Sequence, residues 1–252
     1  MIDHAAPSFA LAPAGRHRRL APVLIACAAA TVLLGLLPRY GALSAQRAAA
    51  QADVLALMAL TVWIALAAGP LAAGAEDALA ALLRTAILAD AGAIALLVIA
   101  LTGPVVTWSL AWRLYLLWLG FCLAAAGVVR LAKTPLSRGA AAMALSAASF
   151  LGCASLLWSA GLVLHLPGPW QYRVAAAAAA INPLQSLSLL LRPIGFFWSE
   201  QPVMYHLARV GQDYPAPAVG WQVCALLWWA LAAAAWSTAG LRCAWRAFWW
   251  GN

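Results

Sequence analysis

The chain predicts an all-α polytopic membrane protein of six transmembrane helices, with short re-entrant helices between the fifth and sixth. Three observations carry that prediction. Hydrophobic residues make up 66% of the 252 and charged residues only 9%, far more apolar surface than a soluble domain of this size buries. The apolar stretches are continuous over about 20 residues, the length of a helical span, where a barrel strand would alternate over about 10. The basic residues gather at the ends of those stretches, as the positive-inside rule requires. The net charge of +8 therefore speaks for membrane orientation and implies no nucleic-acid partner.

Taken in order, residues 1–15 are rich in Ala and Pro, lack periodicity and read as a mobile tail. Arg16, His17, Arg18 and Arg19 precede an apolar run at about 20–37, which Pro38 and Arg39 stop. A cleaved signal peptide ending at Ala42-Leu43-Ser44 is the competing reading. The run, about 18 residues, is longer than a usual signal core and favours a first span. Span two covers about 54–73, and Gly69-Pro70 near its end is expected to kink it.

Glu76 and Asp77 then open a short helix at 76–85, where its positive dipole end favours acids. Arg84 closes it where the negative end favours a cation. Leu79, Leu82 and Leu83 fall at i, i+3 and i+4, so one narrow face is apolar while Glu76, Asp77 and Arg84 stay wet. Such a helix lies on something, either the membrane surface or a soluble partner.

Span three, about 86–102, ends at a tight turn, Gly103-Pro104. Span four covers about 105–129. Arg130, Lys133 and Arg138 follow it in a short loop without acids, the mark of a cytoplasmic side. Span five covers about 139–166 and is stopped by Pro167-Gly168-Pro169. The last span covers about 219–241, with Arg242 and Arg246 behind it. Both termini are then cytoplasmic: nine Arg or Lys fall inside, five outside (Arg39, Arg47, Arg173, Arg192, Arg209) and Arg113 within a span.

Between spans five and six, Ala175 to Ala180 is helical by propensity, and Asn182-Pro183 restarts the helix, Asn as N-cap and Pro in the first turn. The segment 174–197 is expected to re-enter from the outer face. Gln185, Ser188 and Arg192 share one of its faces, and Leu184, Leu187 and Leu191 another. A seventh span over 174–191 is the alternative, and it would leave the C-terminal arginines outside.

The order Pro70, Glu76, Leu79, Leu82, Leu83, Thr85 resembles the permease (transmembrane) subunits of type-2 ABC exporters. After their second span these carry an apolar-Pro run, a Glu, and a pattern close to Gly-Thr-Leu-Glu-x-Leu-Leu-x-Thr-Pro. Here Asp77 and Ala78 stand for the Gly-Thr, Ala80 for the second Glu and Ala86 for the Pro. Such permeases likewise have six spans and re-entrant helices before the sixth, and many bacterial members carry Asn-Pro-Leu there, as at Asn182-Pro183-Leu184. The resemblance covers most of the chain from Asp53 to Phe248.

It implies that 76–85 is the coupling helix, seated on an ATP-binding subunit through Glu76, Asp77, Leu79, Leu82, Leu83, Arg84 and Thr85. Two copies of that subunit would bring ATP and Mg, and this chain would carry no cofactor. A second permease subunit would complete a homo- or heterodimer in the bacterial cytoplasmic (inner) membrane. The transported substrate is not legible, because pathway-lining residues in such spans are largely apolar and serve many cargoes.

Asp90 and Arg113 are the ionisable residues expected within spans, where a charge is a functional hypothesis by default. With the turn at Gly103-Pro104, Asp90 falls near the inner face and Arg113 near the outer, about 7 to 8 Å out of register. Each is expected to snorkel, to find a nearer partner or to touch substrate: Arg84, Arg130 or Lys133 for Asp90, and Asp53 for Arg113.

His165 and His206 on the outer side, with 14 Trp, raise a rival class, a membrane-embedded enzyme or haem-handling protein. The pairs Trp228-Trp229 and Trp249-Trp250 lack the Asp that follows in haem-handling proteins, so interface histidines and an aromatic belt are the simpler reading. Trp158-Ser159-Ala160-Gly161 shares only a Ser and a Gly with intramembrane serine proteases. Neither His-Glu-x-x-His nor Gly-x-x-x-x-Gly-Lys-Ser/Thr occurs, so ATP hydrolysis by that route would belong to a partner chain. Cys27, Cys122, Cys153, Cys224 and Cys243 lie in or at the ends of apolar runs without metal-site spacing. They read as small buried hydrophobes and form no disulfide framework.

Overall fold

The computed structural model describes residues 25–34, 46–103, 105–132, 134–153, 165–191 and 220–250; they form helices and short connections, with no strand among them. In chain order the helices are α1 (Ile25–Leu34), α2 (Gln46–Ala73), α3 (Ala78–Thr102), α4 (Trp108–Arg130), α5 (Pro135–Cys153), α6 (Gly168–Ile181), α7 (Pro183–Leu191) and α8 (Trp221–Trp250). Five are long and apolar enough to cross a membrane: α2 over Ala52–Ala73, all of α3, α4 and α5, and α8 over Trp221–Arg242. The tail 1–15, both ends of the first expected span, the second half of the fifth, residues 192–197, Lys133, His206 and the Trp158–Gly161 motif lie outside the described residues.

Short connections and cross-helix bonds set the directions. Asp53 meets Val105, Thr61 meets Trp118, and Ala75 meets Arg130, so α2 and α4 run parallel. Leu66 meets Ser146 and Gly69 meets Ala142, so α5 runs against α2. Arg113 meets Trp221, Leu116 meets Trp229, Leu123 meets Trp236 and Leu131 meets Arg242, so α8 runs parallel to α4. The bundle thus has one end that carries the α2–α3 and α4–α5 connections, here the near end, and a far end that carries the α3–α4 connection.

Helix starts are capped as the residue types dictate. The Asp77 carboxylate accepts from Ala80 N at 2.6 Å, Thr107 Oγ1 accepts from Leu110 N at 3.2 Å, and Asn182 Oδ1 accepts from Leu184 N at 2.9 Å, each filling a donor the first helical turn leaves open. The separate helix expected at 76–85 does not exist as such. α3 runs unbroken from Ala78 to Thr102, because Ala86 stands where a proline would have stopped it and the Thr85 hydroxyl bonds back to Ala81 O and Leu82 O. The helix that contains the third expected span accordingly begins at Ala78.

Pro70 sits inside α2 without ending it. A proline has no N–H, so the carbonyl four residues earlier loses its helical partner. That carbonyl is Leu66 O, and Ser146 Oγ of α5 donates to it at 2.8 Å. Beside it, a Cβ on Gly69 would lie 3.1 Å from Ala142 O, so the glycine lets α5 close on the proline turn.

The most enclosed helix is α4, packed against α2, α3 and α8. At its junction with α2 and α3, Gly92 faces Ile64 and Trp118, each 3.0 Å from where a Cβ would sit. Its seam with α8 repeats every seven residues. Trp229 Nε1 donates to Leu116 O at 3.2 Å and Trp236 Nε1 to Leu123 O at 3.0 Å. Each indole lies over a glycine one turn further on, Gly120 and Gly127, where no side chain screens the carbonyl. Tryptophans expected as an aromatic belt therefore tie helix to helix here, as do Trp118, which donates to Thr61 Oγ1, and Trp63, which donates to Thr31 Oγ1. Trp108, Trp112 and Trp170 stay exposed, as a belt requires.

The short helices α6 and α7 break at Asn182, as expected of Asn-Pro. The Asn182 amide also donates to Gly152 O at 2.5 Å, tying the break to the end of α5. Leu184, Leu187, Leu190 and Leu191 are buried, so α7 packs into the bundle. Cys122, Cys153 and Cys224 are buried and Cys27 is half-buried, none of them in a disulfide among the described residues.

Candidate functional site

The near end gathers the residues singled out around 76–85. Four connecting residues, Gly74 to Asp77, join α2 to α3, with Gly74 N donating to Pro70 O and Ala75 N to Ala72 O. Arg130 Nη1 reaches the Ala75 and Glu76 carbonyls from α4, each at 3.4 Å. Similarly, Arg242 Nη1 donates to Leu131 O at 3.0 Å and Arg138 Nε to Ala132 O at 3.4 Å. Cations thus sit on carbonyls of the two connections that join the helices at this end.

Arg84 departs from expectation. It is only 8% exposed, and its Nη1 lies 3.4 Å from where Gly74 would carry a Cβ. As α3 does not end at Thr85, Arg84 is nearly two turns inside a long helix and folds its guanidinium under the connection, where Gly74 leaves room. Thr85 is buried too. Neither offers a surface to a partner.

The leucines divide. Leu79 is 64% exposed and Leu83 54%, while Leu82 is half-buried. With the exposed acids Glu76 and Asp77 they make a short apolar ridge with an acidic rim on a capped, anchored helix start. What such a ridge can do is dock: its apolar area is exposed among the described residues, and its backbone is held by Asp77 and Arg130.

Asp90 lies midway along α3, about 18 Å from Ala78 and from Thr102, because the helix begins earlier than the third span was expected to. Its carboxylate is exposed, and Tyr115 OH donates to Oδ1 at 2.9 Å; neither Arg84 nor Arg130 partners it as expected. Arg113 does not meet Asp53. Its guanidinium stacks over the Trp221 ring, 5.3 Å from the centroid, a cation–π contact. Asp53 is buried and accepts from Val105 N at 3.4 Å.

At mid-height a narrow crevice lies between α2, α4, α7 and α8, lined by Thr61, Trp118, Phe121, Pro183, Ser186 and Trp228 among others. Its hydroxyls are engaged, Thr61 with Leu57 O and Trp118, Ser186 with Asn182 O, and Phe121 and Trp228 meet edge to face at 4.8 Å. Such a lining accepts apolar groups. Asn182, Pro183 and Leu184 therefore bear on the bundle interior. The side chains of Gln185 and Ser188 and all of Arg192 lie outside the described residues, as does His206; His165 is exposed before α6. Among the described residues no three His, Cys, Asp or Glu converge.

Sequence reasoning passed over Tyr115, Ser146 and the glycine–tryptophan seam. For the seam the signal was present, in the common interval of seven between Gly120 and Gly127 and between Trp229 and Trp236. Fold and site define an all-helical chain with membrane-spanning character and an uncovered ridge at one end. No family model, curated protein or solved structure matches the chain.

Proposed function

We propose that this chain is the permease subunit of an ATP-driven type-2 ABC exporter in the bacterial cytoplasmic membrane. It works as a dimer with two copies of a separate ATP-binding subunit that supplies ATP and Mg. The observation that carries the proposal is the exposed Leu79–Leu83 ridge, rimmed by Glu76 and Asp77, capped by Asp77 and anchored from behind by Arg130. A ridge that docks needs a rigid base, and this one has it. Closure of the ATP-binding subunits would push on this end of α3 and rock the pathway between inward and outward states.

The six-span arrangement, with 174–197 re-entrant, belongs to the same proposal. Its support is that α5 runs toward the far end and α8 runs back from it, with only α6 and α7, of 14 and 9 residues, described between them. Both are shorter than a span requires. A cytoplasm-active reporter fused after Asn252 should then be active and one inserted near Gln212 silent. The reverse pattern would overturn the topology.

The docking test is Leu79→Asp with Leu83→Asp, two positions whose exposure spares the fold. Burying a leucine contributes roughly 1.5 to 3 kcal/mol, and two desolvated charges add to that loss. Partner affinity should fall by several powers of ten, at about tenfold per 1.4 kcal/mol. The variant should insert normally but lose co-purification with an ATP-binding subunit. A stoichiometric, ATP-hydrolysing complex that survives the double change would sink the assignment.

A further inference from the structure

The ridge at the near end is the start of a longer feature. Leu79, Leu83, Ile87, Asp90, Ile94, Leu97 and Leu101 are all exposed, at intervals of four, four, three, four, three and four along α3. That alternation keeps one line of side chains facing a neighbouring helix that crosses at a shallow angle. Within the bundle no described helix covers it.

Lipid tails suit the leucines and isoleucines of this line and fail Asp90. The carboxylate sits at the middle of the helix, where a charge is costly unless paired, and it has several acceptor sites. Among the described residues Tyr115 is its one hydrogen-bond partner, and that bond occupies Oδ1. A second copy does not meet the need. Copies inserted in the same sense and paired about a two-fold axis on this line would set Asp90 against Asp90. The described cations of this chain lie at the near end, at Arg173 beside Trp170, or at Arg113 on Trp221, none of them on this line.

We infer that the outer face of α3 from Ile87 to Leu101 is a docking seat for a transmembrane helix of another protein that carries a lysine or arginine at mid-depth, paired with Asp90. Tyr115 holds the carboxylate from behind and leaves Oδ2 for the incoming cation. The flanking Ile87, Ile94 and Leu97 form the apolar seam on either side. This inference stands apart from the transport proposal, since it involves no ATP-binding subunit and a different part of the helix.

The test uses the full-length protein in phosphatidylcholine vesicles, with labelled model helices of leucine and alanine as probes and energy transfer as the readout. One helix carries a single central lysine, one a central leucine, and one a lysine displaced by two turns. The central-lysine helix should bind at least tenfold more tightly than either of the others. Asp90→Glu should keep that preference and Asp90→Asn should reduce it below threefold. If Asp90→Asn does not fold, the comparison among the three helices on the unaltered protein still decides. Equal binding of lysine and leucine helices would overturn the inference, as would a lysine preference that Asp90→Asn leaves intact. So would efficient disulfide cross-linking of Ile94→Cys between copies in the presence of the lysine helix, which would give the seat to a second copy.

Discussion

The α4–α8 seam and the outer face of α3 are both lines of side chains at helical repeat, yet one is closed and the other open. The closed one is built from Gly120, Gly127, Trp229 and Trp236, with indole N–H groups on backbone carbonyls. The open one is built from leucine and isoleucine around a single acid. In a bilayer, apolar side chains alone give two helices little reason to meet, because lipid is equally apolar; close backbone approach and polar bonds supply the reason. The contrast teaches that the composition of a membrane-facing line, and not its hydrophobicity, decides whether it closes on its own chain.

Four substitutions break or sharpen that contrast, each read as unfolding free energy of the chain in bicelles. Gly127→Leu should have the largest effect, because even a bare Cβ would lie 2.7 Å from the Ala235 Cβ. A loss of about 3 kcal/mol is expected from forced overpacking, and unchanged stability would mean that the seam is not closed. Ser146→Ala strands the Leu66 carbonyl that Pro70 has already deprived of its helical donor; about 2 kcal/mol should be lost, with Ser146→Thr restoring most of it. Trp236→Phe keeps the ring and removes the bond to Leu123 O, for a loss of about 1 kcal/mol. Leu97→Ala on the open face should change the isolated chain by less than about 0.5 kcal/mol. A loss above 2 kcal/mol there would show that another part of this chain covers α3.

How much of this was legible differs by residue. The helices from Val54 to Ala73 and from about Val105 to Val129 could be read from run length, since long apolar runs between charged ends leave little choice. Asn182-Pro183 was legible because a side-chain amide and a missing N–H act locally. The boundary placed at Thr85 was not, because it rested on Arg84 as a closing cation and on a family pattern whose proline is Ala86 here, and nothing in the local residues breaks the helix. The partner of Asp90 was not legible either, since Tyr115 lies on another helix. The burial of Arg84 depends on the space Gly74 leaves, a contact between two elements that no periodicity encodes. Tyr115 and Ser146 are of the same kind: each acts through a partner distant in the chain.

The unbroken course of α3 has a mechanical consequence. Over about 37 Å its one internal glycine, Gly92, is hemmed by Ile64 and Trp118, so the helix has no place to bend and behaves as a stiff rod. A load applied at Leu79 and Leu83 is therefore neither absorbed nor diverted along the way. Whatever displaces those two leucines displaces Asp90, about 18 Å in, by nearly the same amount and at the same moment.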